Sequence, residues 1–382
     1  MQIGVERFSG ARLRQALDYS LVTAKSLADG VGVSPSNITK YMSGDLKPSP
    51  NIFEQIRIFL KFPTQYFLDE ASVIPDGEIK QWRSLKAATK RARKRGESIL
   101  EWQIESHSYF RNYFDFPRFQ SINSETPINH RTINSEFIEQ ITKGLRETWG
   151  IGTQPIKNLT RQVECFGICV GHANFGSEKL DAVSCIRDKI PFILLNSQVT
   201  SAARLRFNVA HELGHILLHS NVTLSDFETD GVFDELEEQA HYFAAALLLP
   251  DTAFTNDFWA PTLKCLEGLK KKWNVSIQAM MRRAFELNLI TSAQFSYLNI
   301  AISKKGWRSQ EPLDDSTTIE KPRLFGQSIE RMKSDHGKSP SDIMSEIPFP
   351  TWIAEELWAV PNGVLTNNSS SSSAENVLQF RN

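Results

Sequence analysis

Apolar positions recur at helical spacing through the first sixty residues. Phe8, Leu13, Leu17 and Leu21 line one stretch. Thr23 then offers an N-cap, Leu27, Ala28 and Val31 line a second stretch, and Gly32 breaks it. Ser34-Pro35 opens a third helix, with Ser as the cap and Pro at the first helical position. Ile38, Tyr41 and Met42 give that helix its apolar side and Gly44 ends it. After Pro48 and Pro50, Ile52, Ile56 and Phe59 line a fourth helix that closes at Phe62-Pro63. The pattern predicts a compact all-α unit over residues 1–68.

The pattern weakens over 69–130, which reads as a helical connector. It holds a basic run (Lys86, Lys90, Arg91, Arg93, Lys94, Arg95) and then an aromatic stretch from Tyr109 to Phe119. The basic run predicts a solvated face, with phosphate contacts as the alternative. Periodicity returns at 131–149, where Ile133, Phe137, Ile138, Ile141 and Leu145 share a side. Three β-like runs follow, Val163–Val170, Ala182–Ile186 and Pro191–Asn196. Alternation would put Cys165 and Cys169 on one face of the first run, as small core residues. Long helices are expected over Ser201–His219 and about Asp234–Leu249, the second stopped by Pro250. Leu263–Leu289 reads as helix, turn, helix, and 313–360 as a helical segment. Ser369–Ser373 sits in a Ser/Asn-rich stretch, 361–382, expected to be disordered. The fold class is therefore α+β and multidomain: an all-α N-terminal unit, an α+β domain with a small sheet over 131–312, and a helical C-terminal region.

Composition changes this picture little. The chain has 382 residues, 43 basic and 44 acidic, so nucleic-acid binding would need a local patch. Four cysteines in such a length are no disulfide framework and suit a reducing cytoplasm. Charges at Glu6, Arg7, Arg12, Arg14 and Asp18 interrupt any signal-peptide pattern. The longest apolar run, near Phe243–Pro250, is too short to span a bilayer, so no membrane association is expected.

The chemistry concentrates in His211-Glu212-Leu213-Gly214-His215, set in the periodic helix of Leu205, Val209, Leu213, Ile216 and Leu217. Positions i and i+4 lie one turn apart on one face, so both imidazoles can reach one metal ion. Glu212 lies about 100° round the helix, beside the metal rather than on it. That pattern points to metal-assisted hydrolysis, with one Zn2+ per chain and Glu212 as the base. A third ligand is expected from the next helix: Glu237 is the candidate and Glu238 the competitor, pointing about 100° away. Asp234 and Glu235 fit as first-turn residues favoured by the helix dipole. His219 is expected at the surface at a helix end. His241, one turn after Glu237, could face the site.

The stretch Arg206-Phe207-Asn208-Val209-Ala210-His211-Glu212-Leu213-Gly214-His215, with Glu237-Glu238-Gln239-Ala240-His241-Tyr242-Phe243-Ala244-Ala245-Ala246-Leu247-Leu248-Leu249-Pro250, closely resembles the ImmA/IrrE metallopeptidases. The resemblance covers about 131–312, including Gly144-Leu145-Arg146, Trp149-Gly150 and Gly306-Trp307-Arg308. It implies a zincin-like domain in which His211, His215 and Glu237 bind zinc and Glu212 is the catalytic base. His241 stands where the family usually has Asn.

Thr23–Met42 resembles a Cro/C1-type (XRE) helix-turn-helix, with Gly32-Val33-Ser34 at the turn. In that docking mode the first residues of the second helix meet base edges. Here they are Ser36, Asn37, Thr39 and Lys40. Asn can pair with adenine, and Lys with guanine or a phosphate. Ala24 stands where the family often has a DNA-contacting Gln. Residues 1–63 carry eight basic and five acidic side chains, a modest +3. Together the two resemblances imply a cytoplasmic regulator that binds a double-stranded DNA operator and cleaves a protein substrate, a transcriptional repressor. The repressor would be this chain, a copy of it or a separate partner. A homodimer would suit a palindromic operator. The alternative is a DNA-binding regulator whose metal domain is sensory or structural.

Overall fold

The computed structural model describes residues 4–69, 90–120, 128–223, 225–226 and 229–366. The Ser369–Ser373 run lies outside the described residues, as does Lys86.

Five helices build the N-terminal unit: α1 (Gly10–Ser20), α2 (Ala24–Val31), α3 (Pro35–Ser43), α4 (Pro50–Leu60) and α5 (Thr64–Leu68). Their starts follow the expected capping chemistry. Ser9, Thr23, Ser34 and Ser49 each accept from a backbone N–H in the first turn of the helix they precede. Leu13, Leu27, Ala28, Ile38 and Ile56 are fully buried between the helices.

Helix α6 (Lys90–Arg111) leaves this unit and lies against a three-stranded sheet. After it come α7 (Ser135–Thr148), α8 (Leu159–Cys165) and strands β1 (Cys169–Ala173), β2 (Ala182–Arg187) and β3 (Ile190–Asn196). The strand order is β1-β3-β2; β1 runs parallel to β3 and β2 antiparallel to it. Cys169, Phe192 and Cys185 align across the three strands, as do Val170, Ile193 and Ser184. Alternation then sends these two rows to opposite faces. The first row joins the core of α6 and the N-terminal helices. Val170 and Ile193 of the second join the core of α9 (Ala202–Leu218) and α10 (Val232–Leu248).

The first β-like run differs from expectation. Asn158 caps a helix, its Oδ1 accepting from Arg161 N at 2.8 Å, and the helix carries the chain to Cys165 before a turn at Gly167. A short apolar run that ends a helix and begins a strand imitates alternation. Cys165 is therefore half-buried on α8 and Cys169 buried on β1, not paired on one strand face.

Helices α9 and α10 approach closely because of small residues. Ala240 and Ala244 are fully buried. A Cβ on Gly214 would sit 3.0–3.2 Å from the Phe243 side chain. Pro250 stops α10 and starts α11 (Asp251–Asp257). Next come α12 (Leu263–Trp273), α13 (Ile277–Glu286) and α14 (Ser292–Lys304). Glu311, from the stretch after Trp307, accepts from Ile277 N and Gln278 N and so caps α13.

The chain then returns past α9 and α8. Arg206 pairs with Glu320, and Glu164 accepts from Arg323 N and Leu324 N at 3.0 Å. Burial pushes Glu164 up to about 8. Helices α15 (Leu324–His336), α16 (Pro340–Glu346) and α17 (Thr351–Leu357) finish the fold. They pack against α6, where Trp358 Nε1 donates to Ser106 Oγ at 3.0 Å. Among the described residues no helix is long and apolar enough to cross a membrane.

Candidate functional site

His211 and His215 sit one turn apart on α9, inside the layer formed with α10. Their Nε2 atoms are 3.0 Å apart. Glu237, in the second turn of α10, brings Oε1 to 3.2 Å from His215 Nε2 and Oε2 to 3.6 Å from His211 Nε2. Two ligands on a tetrahedral zinc at roughly 2.0–2.1 Å stand about 3.3 Å apart. The three separations bracket that edge, so this donor set fits one zinc ion. Both histidines are fully buried, while Glu237 keeps 17% of its side chain exposed and marks the open side. Glu238 is exposed and lies outside this group of metal-capable residues.

Glu212 points from the same helix toward the sheet. Ser184 Oγ, on the β2 face turned to α9, donates to Glu212 Oε2 at 2.5 Å. The carboxylate is 1% exposed. A strand residue thus holds the carboxylate beside the histidine pair. No spacing rule marked Ser184, because its partner lies 28 residues away.

His219 overturns its surface expectation: it is fully buried. Its Nδ1 lies 2.9 Å from His215 Nδ1, and its Nε2 lies 2.9 Å from Gln239 Oε1 on α10. Burial, more than the neighbouring His215, holds its imidazole well below the usual histidine range. The reason for the miss is that α10 covers the end of α9, which local sequence does not show. His241 is exposed on α10 with its ring edge-on to His211 at 4.7 Å, outside the ligand group, and 5.5 Å from Phe207.

The second candidate surface lies on α3. A left-handed Gly32 (φ 68°) turns the chain between α2 and α3. Ile38 and Tyr41 anchor α3 in the core, leaving Ser36, Thr39 and Lys40 exposed and Asn37 partly so. Thr39 Oγ1 donates to Pro35 O at 3.2 Å. Ala24 is half-buried against the core. The basic run on α6 is a solvated face only in part: Lys90 and Arg91 are exposed, while Arg93, Lys94 and Arg95 are half-buried. Arg95 donates to Tyr19 O and Asn174 O at 2.9 and 2.8 Å and covers the Tyr19 ring, and Arg91 donates to Leu21 O. These cations bind protein carbonyls and tie α1 and the end of β1 to α6.

An α+β layer with a His/His/Glu cluster and a buried carboxylate beside it defines a metallopeptidase-type domain. The family comparison agrees: residues 163–285, from α8 into α13, match the model of the IrrE N-terminal-like domain of peptidase family M78. The match supports the ImmA/IrrE family for this region, a family that implies a bound metal and a protein substrate. No curated protein matches the chain.

Proposed function

We propose that the chain is a cytoplasmic zinc-dependent endopeptidase joined to a DNA-binding helix-turn-helix, and that it cleaves a transcriptional repressor, either a copy of itself or a partner. One observation carries the hydrolytic reading: three metal-capable side chains whose donor atoms lie 3.0–3.6 Å apart, with the buried Glu212 carboxylate beside them. His211, His215 and Glu237 would hold the zinc. When bound, zinc supplies a Lewis acid that polarises a peptide carbonyl and lets water lose a proton near neutral pH. Glu212 takes that proton and passes it to the leaving amine, while Ser184 holds its Oε2 and so its orientation. Glu237 approaches from the open side, where an extended substrate can enter.

On the other unit, Ser36, Asn37, Thr39 and Lys40 would meet the base edges of a double-stranded operator. Asn37 is the strongest candidate for a bidentate pair with adenine. Two copies on a palindrome would place two such helices one helical turn of DNA apart.

The test uses the full chain loaded with zinc and incubated with candidate repressors. Glu212→Gln keeps the shape and its hydrogen bond to Ser184 but cannot take a proton. It should lose cleavage by about 10²–10⁴-fold, the usual contribution of general-base catalysis. It should keep its zinc and its affinity for DNA. Equal cleavage by wild type and Glu212→Gln overturns the peptidase mechanism. If regulation in cells survives Glu212→Gln but fails in His211→Ala, the metal is sensory or structural instead.

A further inference from the structure

The hydrogen bonds behind His215 run in one direction, and a glutamine on the opposite helix sets that direction. Gln239 Nε2 faces acceptors only: His130 O at 2.9 Å, Glu235 Oε1 at 3.3 Å and Ile133 O at 3.5 Å. Turning the amide over would press Oε1 against the two carbonyls and the carboxylate, so Nε2 must occupy this place. Oε1 therefore faces His219 Nε2 at 2.9 Å, and as an acceptor it requires a proton there. A neutral imidazole carries one N–H. His219, fully buried, then presents a lone pair on Nδ1. His215 Nδ1, at 2.9 Å, must be the donor to it. A neutral His215 is then left with its lone pair on Nε2, the nitrogen that faces His211 and Glu237.

We infer that Gln239 and His219 are positioning residues that fix the tautomer and the ring orientation of His215, so that Nε2 is preset to take a metal. The inference rests on the reading of His211, His215 and Glu237 as the ligand set. Its physical content is that the chain of hydrogen bonds excludes the alternative. A proton on His219 Nδ1 would turn His215 into an acceptor there and put the proton of a neutral His215 on Nε2, where it blocks ligation. The same glutamine also joins parts of the chain that must agree for the site to exist. It lies two residues beyond Glu237 on α10, reaches the end of α9 through His219, and holds the backbone at His130 and Ile133 ahead of α7. Hydrogen-bond partners behind a ligand histidine typically contribute 10–100-fold in metal affinity.

Two measurements test this. The first is a long-range ¹H–¹⁵N spectrum of histidine-labelled, metal-free full-length protein, with His215 assigned by substitution. His215 should appear as the Nδ1–H tautomer, and His219 as the Nε2–H tautomer. The second is zinc affinity by chelator competition. His219→Leu removes the acceptor and should weaken zinc binding by about 10–100-fold with the unfolding midpoint measured alongside. His219→Gln restores a side-chain carbonyl and should recover most of that loss, which a merely space-filling role would not produce. If His219→Leu does not fold, Gln239→Met takes its place, and the wild-type spectrum stands by itself. An Nε2–H tautomer at His215, or equal zinc affinity in wild type and His219→Leu, overturns the inference. Wild type that binds no zinc, or His211→Ala that binds it as well as wild type, breaks the ligand assignment instead.

Discussion

The two faces of the three-stranded sheet are covered by very different helices. On one face α9, backed by α10, presents mostly Leu, Val, Ala and Phe; of its buried polar groups His211, Glu212 and His215 gather at one site, while Arg206 and Asn208 bond Glu320 and Asp181. On the other face lies α6, which buries Ser98, Gln103, Ser106 and His107 along with Trp102, Ile99 and Phe110. Its polar groups answer to the sheet and to its neighbours. Gln103 Nε2 donates to Cys169 O and Ile193 O at 3.0 and 3.2 Å, on two adjacent strands. Ser106 bonds Trp102 O and Trp358 Nε1. The first face gathers part of its polar groups into the His211/His215/Glu237 cluster; the second uses Gln103 and Ser106 in joining three parts of the chain. The N-terminal helices, α6 and α15–α17 share a single core with the sheet face opposite the His211/His215/Glu237 cluster.

The largest test of this contrast is Trp102→Ala. Trp102 is fully buried, and its ring meets Tyr19, Phe62 and Tyr66 of the N-terminal unit and Phe349 near the C-terminus at 5.0–6.1 Å. Removing such a side chain costs about 3–5 kcal/mol. Because α6 also covers the sheet, the loss should appear as one earlier unfolding transition, seen together by far-UV dichroism and by zinc release. Phe243→Ala, between α10 and Gly214, should cost a similar amount and in addition weaken zinc binding before unfolding begins. Two separate transitions in Trp102→Ala, with zinc release unshifted, would mean that the two faces fold independently.

The same contrast explains what was legible in the sequence. Helices α9 and α10 show regular apolar spacing and a local His/Glu motif, so both helices and the meeting of His211, His215 and Glu237 could be read from spacing. The N-terminal helices were legible because Ser, Thr, Gly and Pro mark their ends. Helix α6 was legible only as part of a helical connector, because a helix buried on several sides has no clean polar face, and its glutamine, serine and histidine look solvated until their distant partners are known. Arg95 misled for a related reason: carbonyls of α1 and of the loop after β1 take its N–H groups. His219 and Ser184 needed contacts across helices or to a strand, which no local pattern encodes.

A smaller effect tests the other end of the same unit. Asn37 is the partly exposed residue of α3 best suited to base readout. Asn37→Ala should weaken specific operator binding by about 1–3 kcal/mol and leave binding to unrelated DNA nearly unchanged. Stability should hardly move, since the side chain lies outside the shared core, and the helix cap from Ser34 Oγ to the backbone N–H of residue 37 is untouched. An equal loss on all sequences would mean that α3 meets phosphates and not bases.

The last test concerns a proton buried between α1 and α6. Glu101 is pushed up to about 8, first by burial and then by the neighbouring Glu105 charge, although Gln15 Nε2 donates to it at 2.6 Å. The folded chain therefore keeps a proton that the unfolded chain releases near the ordinary glutamate value, about 4.5. Its contribution to stability is fully present below about 4.5, declines as pH rises, and is lost by about 8, where the folded state also ionises. Glu101→Gln removes this titration but keeps an acceptor for Gln15. At pH 5 the variant should lie within about 1 kcal/mol of wild type, the scale of one hydrogen bond. The gap should then close with rising pH, and the variant should be the more stable protein above pH 8. Urea denaturation at several pH values gives the two curves. Parallel curves from pH 5 to 9 would show that Glu101 is already ionised in the folded protein, and that the α6 face tolerates a buried charge as well as buried amides and hydroxyls.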